Sequence, residues 1–277
     1  MKKNQRRLLR YLLLAVFLIS TAFMLFQYFD NNEAEDSYSA AEELAKGPET
    51  EPQIEVIQPD ETEPLPTEPA EILWVPAPVE EDDPYLEELS STDLAALREV
   101  NPDVIGWITI PDSKIHYPLM QGEDNEYYLE HTWDNIPSAS GSIFLECRNS
   151  ADLTDFNTIV YGHNMRSGTM FASLHYFSYP DYFSARPYVY LVTDDGVLRY
   201  EIFSTYRAEV DSQTYGLSFH QQETRENFIA NALERSEIDT GIIPGITDRI
   251  LTLSTCSGWG YETRWVVHAR LKMVVQE

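Results

Sequence analysis

Two side chains suited to nucleophilic catalysis follow apolar, strand-like runs in this sequence. Cys256 lies just after residues 250–253 in LTLSTCSGWGYETRWVV, and His163 follows residues 158–161 in a Gly-His-Asn turn. A strand end next to a turn holds a side chain in place and leaves it accessible. A thiol needs a base near neutral pH, and an imidazole can supply one. Cys256 and His163 are therefore a candidate nucleophile and base.

Arg264 begins the next apolar run, eight residues after Cys256, so the loop between them can fold its guanidinium back toward the thiol. A permanently charged group with several donors suits a developing oxyanion. From the residues alone Arg264 could equally be a strand-edge arginine paired with a carboxylate.

Other interpretations of these residues stay open at this point. Cys256 could be a packed thiol or half of a disulfide with Cys147, the second of the two cysteines, and His163 could be a surface or core histidine. His268 lies inside the last apolar run and is predicted to be packed. Because there is no CxxC or HxxxH spacing and no glycine-rich phosphate loop, we expect no metal site and no cofactor.

Short strand-like segments dominate the chain from residue 91 onward. A helix is expected at its start, with Ser91 or Thr92 as N-cap, and an amphipathic helix over residues 221–234 precedes the cysteine run. The predicted strands are residues 104–110, 115–121, 141–146, 157–161, 188–192, 197–204, 249–254 and 265–273. About eight strands with a few short helices predict a mostly β fold, a closed or nearly closed barrel.

The N-terminal 29 residues have the pattern of a membrane anchor. Residues 1–10 are basic, and residues 11–29 form an uncharged apolar run of the length that a spanning helix needs. The basic flank predicts a cytoplasmic N-terminus, with everything after residue 30 outside the cell. A cleaved signal peptide fits less well, because the run is longer than an h-region and no small-x-small cleavage site follows it.

Residues 30–90 are predicted to be a disordered tether. The stretch 30–92 holds 20 acidic residues against one lysine and most of the prolines, a composition that does not form a core. Much of the net charge of −27 lies there, and it argues against nucleic acid as a partner. Residues 91–277 then form one domain with enough apolar residues for a core.

Three stretches resemble the sortases, membrane-anchored cysteine transpeptidases of Gram-positive bacteria: TLSTC with the arginine and VV-rich strand, IVYGHNMRSGTMFASL, and NPDVIGWITIPDSKIHYPLMQGEDNEYYLEH. The last, with the helix before the cysteine strand, resembles class B, and the resemblance covers residues 94–273. It implies an eight-stranded sortase-type β-barrel, with Cys256, His163 and Arg264 catalytic. It also implies a substrate groove formed by Asn125, Leu129, Tyr161, Ser254 and Leu217, the last a looser match in the loop before the long helix.

The resemblance also implies an activity and partners. The enzyme would cleave an NPQTN-like or (S/P)PxTG-like C-terminal sorting motif of secreted proteins after its Thr, form a thioester on Cys256, and transfer the acyl group to an amine. That amine would belong to the cell-wall precursor, or to a pilin lysine. Arg264 would bind the oxyanion or hold the substrate backbone. A hydrolytic cysteine peptidase and a non-catalytic, membrane-tethered envelope scaffold remain alternatives.

Overall fold

Eight strands form a closed barrel within residues 3–46, 83–256 and 262–275, the parts of the chain that this computed structural model describes. Around the barrel the order is β1-β2-β3-β4-β7-β8-β6-β5. The strands are β1 Val104–Thr109, β2 His116–Met120, β3 Ile143–Leu145, β4 Asn157–Tyr161, β5 Tyr188–Thr193, β6 Gly196–Glu209, β7 Ile250–Cys256 and β8 Thr263–Val275. The prediction of an eight-stranded, mostly β barrel is confirmed.

The barrel mixes parallel and antiparallel neighbours. β2 pairs with β3, and β4 with β7, in parallel; the other neighbours are antiparallel. Because side chains alternate along a strand, Leu251 and Leu253 point into the barrel core, whereas Thr252 and Ser254 lie on the outer face. The parallel β4–β7 pair matters most for function, since two parallel strands end at the same edge of a sheet.

Helices cover the outside of the barrel. They are α1 Lys3–Ala45, α2 Pro84–Ser90, α3 Leu94–Val100, α4 Pro180–Ala185 and α5 Gln222–Arg235, with 3-10 helices at Tyr127–Leu129, Ala172–Ser178 and Gln213–Tyr215. The expected amphipathic helix is α5, which buries Phe228, Ile229 and Ala232. The N-cap of α3 is Asp93 and not Ser91 or Thr92, because its carboxylate accepts the backbone N–H of Ala96 at 2.9 Å.

The prediction of a disordered tether over residues 30–90 is wrong at both of its ends. At the first, α1 continues to Ala45 and packs on the barrel through Ala34, Tyr38, Ala41 and Ala45. These residues recur every three or four positions and so form one face of a helix. Most of the acidic residues between them are exposed, although Oε1 of Glu42 lies 3.5 Å from Nε2 of His116 in β2. The acidic composition of the stretch therefore concealed the amphipathic pattern.

At the other end, Asp83 caps α2, and its carboxylate accepts a 2.8 Å hydrogen bond from the buried guanidinium of Arg199 in β6. The two ends of the acidic stretch also meet, because the N–H of Asp93 donates to the carbonyl of Ala45 at 2.8 Å. Residues 47–82, the middle of the expected tether, lie outside the described residues and connect two helices that both pack on the barrel.

The membrane-spanning helix expected over residues 11–29 is not confirmed. Within the described residues, the structure contains no helix that is both long and apolar enough to cross a membrane.

Candidate active site

The parallel pairing of β4 with β7 brings His163 beside Cys256. Tyr161, the last residue of β4, is paired with Ser254 in β7, and the N–H of Gly162 donates to the carbonyl of Ser254 at 3.2 Å. Two residues beyond the Tyr161–Ser254 pair along each strand, His163 and Cys256 lie at the same edge of the barrel. The sequence could show two strand exits, and the register shows that they are neighbours.

The antiparallel strand β8 adds Arg264 to the same edge. Cys256 and Arg264 are directly opposite each other in the β7–β8 ladder. The thiol of Cys256 lies outside the described atoms, so its place follows from the backbone register. Nη1 of Arg264 donates to the carbonyl of Thr263 at 3.1 Å, and the residue is partly exposed. All three predicted catalytic residues thus lie at one end of the β4–β7–β8 part of the barrel.

A pocket of about 230 Å³ opens at this edge. Its lining contains the predicted residues Asn125, Leu129, Tyr161, His163, Ser254 and Arg264, together with Phe144, Gly162 and Thr255. Leu217 does not line this pocket; it lies between the 3-10 helix Gln213–Tyr215 and α5. Four of the five predicted groove residues therefore share a pocket with the histidine and the arginine.

The orientation of the His163 ring is fixed by a backbone carbonyl. Nε2 of His163 lies 2.7 Å from the carbonyl oxygen of Leu129, at the end of the 3-10 helix Tyr127–Leu129. A carbonyl can only accept, so Nε2 carries the proton and Nδ1 is the basic nitrogen of the neutral ring. The carbonyl also stabilises the doubly protonated ring, as a carboxylate does in other triads, but with a weaker, uncharged acceptor.

Two glycines allow these elements to approach each other. Gly141 has a φ of 54°, and a Cβ there would lie 2.6 Å from the carbonyl oxygens of both Tyr128 and Leu129. At Gly162 a side chain would collide with the rings and methyl groups of Phe171 and Ile143. Gly141 therefore allows close approach to the turn that supplies the carbonyl partner, and Gly162 allows the histidine turn to pack on Ile143 and Phe171.

One wall of the pocket is organised by a buried carboxylate. Oε2 of Glu146 accepts hydrogen bonds from Nδ2 of Asn125 at 2.8 Å and from the hydroxyl of Tyr161 at 3.1 Å. Burial alone would raise the pKa of Glu146, but hydrogen bonds from Arg148, Asn125 and Tyr161 outweigh it and hold that pKa below its usual range. Burial and the nearby carboxylate raise the pKa of Tyr161, so its hydroxyl stays protonated.

Two of the residues that line the pocket, Tyr161 and Ser254, contact a residue that the sequence did not indicate. Tyr215 stacks on Tyr161, with ring centroids 6.5 Å apart, and its hydroxyl lies 2.9 Å from Oγ of Ser254. Asn157 holds the loop around Tyr215, donating from Nδ2 to the carbonyls of Thr214 and Gly216 at 3.2 and 3.0 Å. No sequence motif marks Tyr215, because its role depends on contacts between distant segments.

The remaining cysteine and the packed histidine have other surroundings. Cys147 is a free cysteine, so it is not in a disulfide with Cys256, and burial and then Glu146 raise its pKa. His268 is fully buried, between the hydroxyls of Thr252 and Tyr206, as the sequence predicted. Among the residues that the structure describes, no group of three or more His, Cys, Asp or Glu side chains could hold a metal ion.

Comparisons of sequence and of structure with known proteins all indicate similarity to the sortases. The family described as the sortase domain matches residues 108–272. Sortase B of Listeria monocytogenes is 37% identical over 167 residues, covering 59% of this chain and 67% of that protein. The crystal structure of Clostridium perfringens sortase B is 36% identical with a TM-score of 0.61, covering 65% of this chain and 99% of the other. A Staphylococcus aureus sortase B–substrate complex is 27% identical with a TM-score of 0.62, covering 65% and 85%.

Proposed function

The chain belongs to the sortase family as a class B member, and on that premise we propose that it is a cysteine transpeptidase acting on secreted proteins. Its substrates carry an NPQTN-like or (S/P)PxTG-like C-terminal sorting motif, which it cleaves after Thr. The acyl group passes through a thioester on Cys256 to an amine of the cell-wall precursor. The similarity to a sortase B–substrate complex supports the proposal that this chain also binds a substrate of that kind.

The observation that carries this proposal is the register of three strands. β4, β7 and β8 bring His163, Cys256 and Arg264 to one barrel edge, next to a pocket of about 230 Å³. A thiol, a base with a defined tautomer and a permanent cation are the groups that acyl transfer through a thioester requires. Residue type and strand-end position alone indicate these three groups, independently of the family resemblance.

In the first half-reaction, the thiolate of Cys256 attacks the carbonyl carbon of the Thr residue and forms a C–S bond. The negative charge moves to the carbonyl oxygen, which the positive charge of Arg264 stabilises. As the tetrahedral intermediate collapses, the C–N bond breaks and imidazolium His163 donates its Nδ1 proton to the leaving amine. The products are a thioester and a released C-terminal peptide, and His163 is left neutral.

In the second half-reaction, an acceptor amine attacks the thioester, and the neutral His163 ring takes a proton from it. The C–S bond breaks, a new amide forms, and Cys256 leaves as a thiolate beside imidazolium His163. The starting charge state is restored. The carbonyl of Leu129 accepts from Nε2 in the starting geometry, so it favours the charged ring that both halves of the cycle require.

We place the enzyme at the cell membrane with its barrel outside, facing the wall, on the basis of the sequence of residues 1–29 alone. The acceptor amine is then one of the cell-wall precursor or, if this member assembles pili, a pilin lysine. Both acceptors are primary amines, so the same residues serve either reaction.

A panel of sorting pentapeptides tests the proposal with the full-length chain in detergent. Mass spectrometry of the intact protein should show an acyl adduct on Cys256 with at least one NPQTN-like or (S/P)PxTG-like peptide, and the Cys256→Ala variant should show none. Adding a primary amine should convert the adduct into a ligated peptide.

Two outcomes would contradict the proposal. A peptide that is cleaved but never ligated in the presence of amine would identify a hydrolytic cysteine peptidase. No adduct with any peptide, together with an intact fold, would identify a non-catalytic envelope scaffold.

A further inference from the structure

Glu146 is a buried charge that the mechanism above does not use. Its side chain is 2% exposed and follows β3 directly. A buried carboxylate is costly unless it is paired and hydrogen-bonded. The arrangement of its partners therefore indicates what the carboxylate does at this position.

The two oxygens of Glu146 have different partners. Oε1 accepts Nε of Arg148 at 2.6 Å, and Arg148 is 68% exposed, so this side of the carboxylate faces the surface. Among the described residues, Oε2 accepts from two side chains, Asn125 and Tyr161, and both of them line the pocket with His163. Glu146 itself does not line the pocket, so any effect on a bound peptide must pass through these two residues.

The hydrogen bonds leave one orientation for the Asn125 amide. Nδ2 donates to Glu146, and Oδ1 accepts the backbone N–H of Cys147 at 2.8 Å. A flipped amide would place oxygen against the carboxylate and NH₂ against an N–H, losing both bonds. Among the described residues, the second amide hydrogen of Asn125 is left to serve as a donor toward the pocket.

Tyr161 presents the opposite group to the pocket, a hydrogen-bond acceptor. Its single hydroxyl hydrogen is donated to Glu146, so its oxygen offers only lone pairs to anything bound in the pocket. One carboxylate oxygen thus sets one pocket residue as a donor and its neighbour as an acceptor. A peptide group, with one C=O and one N–H, matches that pair.

We propose that Glu146 is a positioning residue that presets the groove wall for a substrate peptide group, whose C=O accepts from Asn125 and whose N–H donates to Tyr161. The inference rests on the proposed function, because it assumes a peptide substrate. The essential feature is an acceptor atom at the position of Oε2, and the negative charge serves mainly to pair with exposed Arg148.

Substitutions of Glu146 that change its length or its charge can show whether the position of the acceptor atom or the negative charge matters for the pocket. Glu146→Gln keeps an oxygen that can accept from both Asn125 and Tyr161. Glu146→Asp keeps the negative charge, but its side chain is one methylene shorter, so the carboxylate no longer reaches these two residues. Glu146→Ala removes the acceptor. Glu201→Ala is the matched control, since Glu201 forms a partly buried pair with Arg270, at 2.8 Å, that does not involve the pocket lining.

The measurements are KM and kcat for acyl transfer by the full-length variants, and the Kd of the same peptide for the full-length chain carrying Cys256→Ala. We expect Glu146→Ala and Glu146→Asp to raise KM and Kd by about tenfold or more, the size of effect expected for one lost hydrogen bond. The kcat of both variants should stay within about threefold of that of the starting enzyme. Gln should recover most of the loss. The Glu201→Ala control should change neither constant by more than about twofold.

Equal losses for Asp, Gln and Ala, or a KM that Asp leaves unchanged, would overturn the inference. Asp and Gln serve as the decisive pair if Ala does not fold, which thermal melts would reveal. The Kd separates the two proposals. A peptide that binds with the expected Glu146 dependence but never acylates Cys256 contradicts the proposed function alone, whereas acylation without that dependence contradicts the inference alone.

Discussion

At the scale of a single residue, His268 couples the stability of the barrel to pH. Its Nδ1 and Nε2 lie 2.9 and 3.0 Å from the hydroxyls of Thr252 and Tyr206, and the aromatic rings of Phe203 and Phe228 pack around it. Burial, with a smaller effect of Arg235, lowers the pKa of His268 to about 3. The ring is therefore neutral in the folded protein at every pH where the chain is expected to act.

This lowered pKa gives a prediction with a definite sign. In the unfolded chain His268 titrates near 6.5, so below that pH the unfolded state binds a proton that the folded state does not. Stability is then lost as pH falls from about 6.5 toward 3, at up to about 1.4 kcal/mol per pH unit. Denaturant unfolding at pH 7, 6, 5 and 4 should show a steeper decline for the native chain than for His268→Asn. Parallel declines would mean that His268 does not control this dependence.

Residue types and positions along the sequence were sufficient to indicate the candidate reactive groups, which the fold brings to one edge, but not the groups that support them. Cys256, His163 and Arg264 were identifiable because a nucleophile, a base and a cation at strand ends are uncommon. Glu146 and Tyr215 were not, since one is an acid after a short apolar run and the other a tyrosine in a loop. Their importance comes from contacts across the fold, which local sequence does not encode.

At the scale of elements, the 3-10 helix Tyr127–Leu129 is the support for His163. Its position depends on Gly141, whose backbone passes so close that a Cβ would lie 2.6 Å from the carbonyl oxygens of Tyr128 and Leu129. The same carbonyl of Leu129 accepts from Nε2 of His163. A change at Gly141 is therefore expected to displace His163, the proposed base, through the movement of this turn.

Gly141→Ala should lower kcat for acyl transfer about tenfold or more, because a shifted turn misplaces the base. Gly241→Ala is a matched control: Gly241 also has a positive φ, 69°, but nothing lies within 4 Å of the position of its Cβ. Both variants should lose roughly 1 kcal/mol or more of stability from backbone strain. Steady-state kinetics and thermal melts distinguish the two effects. Equal kcat in both variants would show that the turn does not position His163.

The positions of the strands in the barrel followed from sequence because alternation and turn residues are local signals, but some strand ends did not: β6 extends to Glu209, five residues past its predicted end. Residues 157–161 were predicted as a strand and form β4 with the same bounds. The order of the strands around the barrel could not be predicted from local sequence, because the parallel β4–β7 pairing joins segments that are about 90 residues apart. That long-range pairing brings the two strand exits together.

At the scale of the whole molecule, α1 changes how the barrel relates to the N-terminus. Besides its apolar face, α1 contributes Tyr38, whose hydroxyl donates to the carbonyl of Gly141 at 2.5 Å, and Ser37, whose carbonyl accepts Nε1 of Trp133 at 2.9 Å. The part from residue 30 to Ala45 is about 24 Å long at 1.5 Å per residue. In the membrane-bound arrangement proposed here, a docked helix and not a flexible chain would set the distance between the membrane surface and the candidate active site.

Docking of α1 can be tested with neighbouring alanines. Ala41 is fully buried against the barrel, whereas Ala40 is exposed. Ala41→Glu should place a charge where there is no room for one and release the C-terminal part of α1. We expect faster amide hydrogen exchange over residues 34–45 and a Tm lower by several degrees, corresponding to about 1–3 kcal/mol. Ala40→Glu should change neither. If the amides of both variants exchange at the native rate, this face does not hold α1 on the barrel, and the link between the N-terminal residues and the barrel would then be flexible.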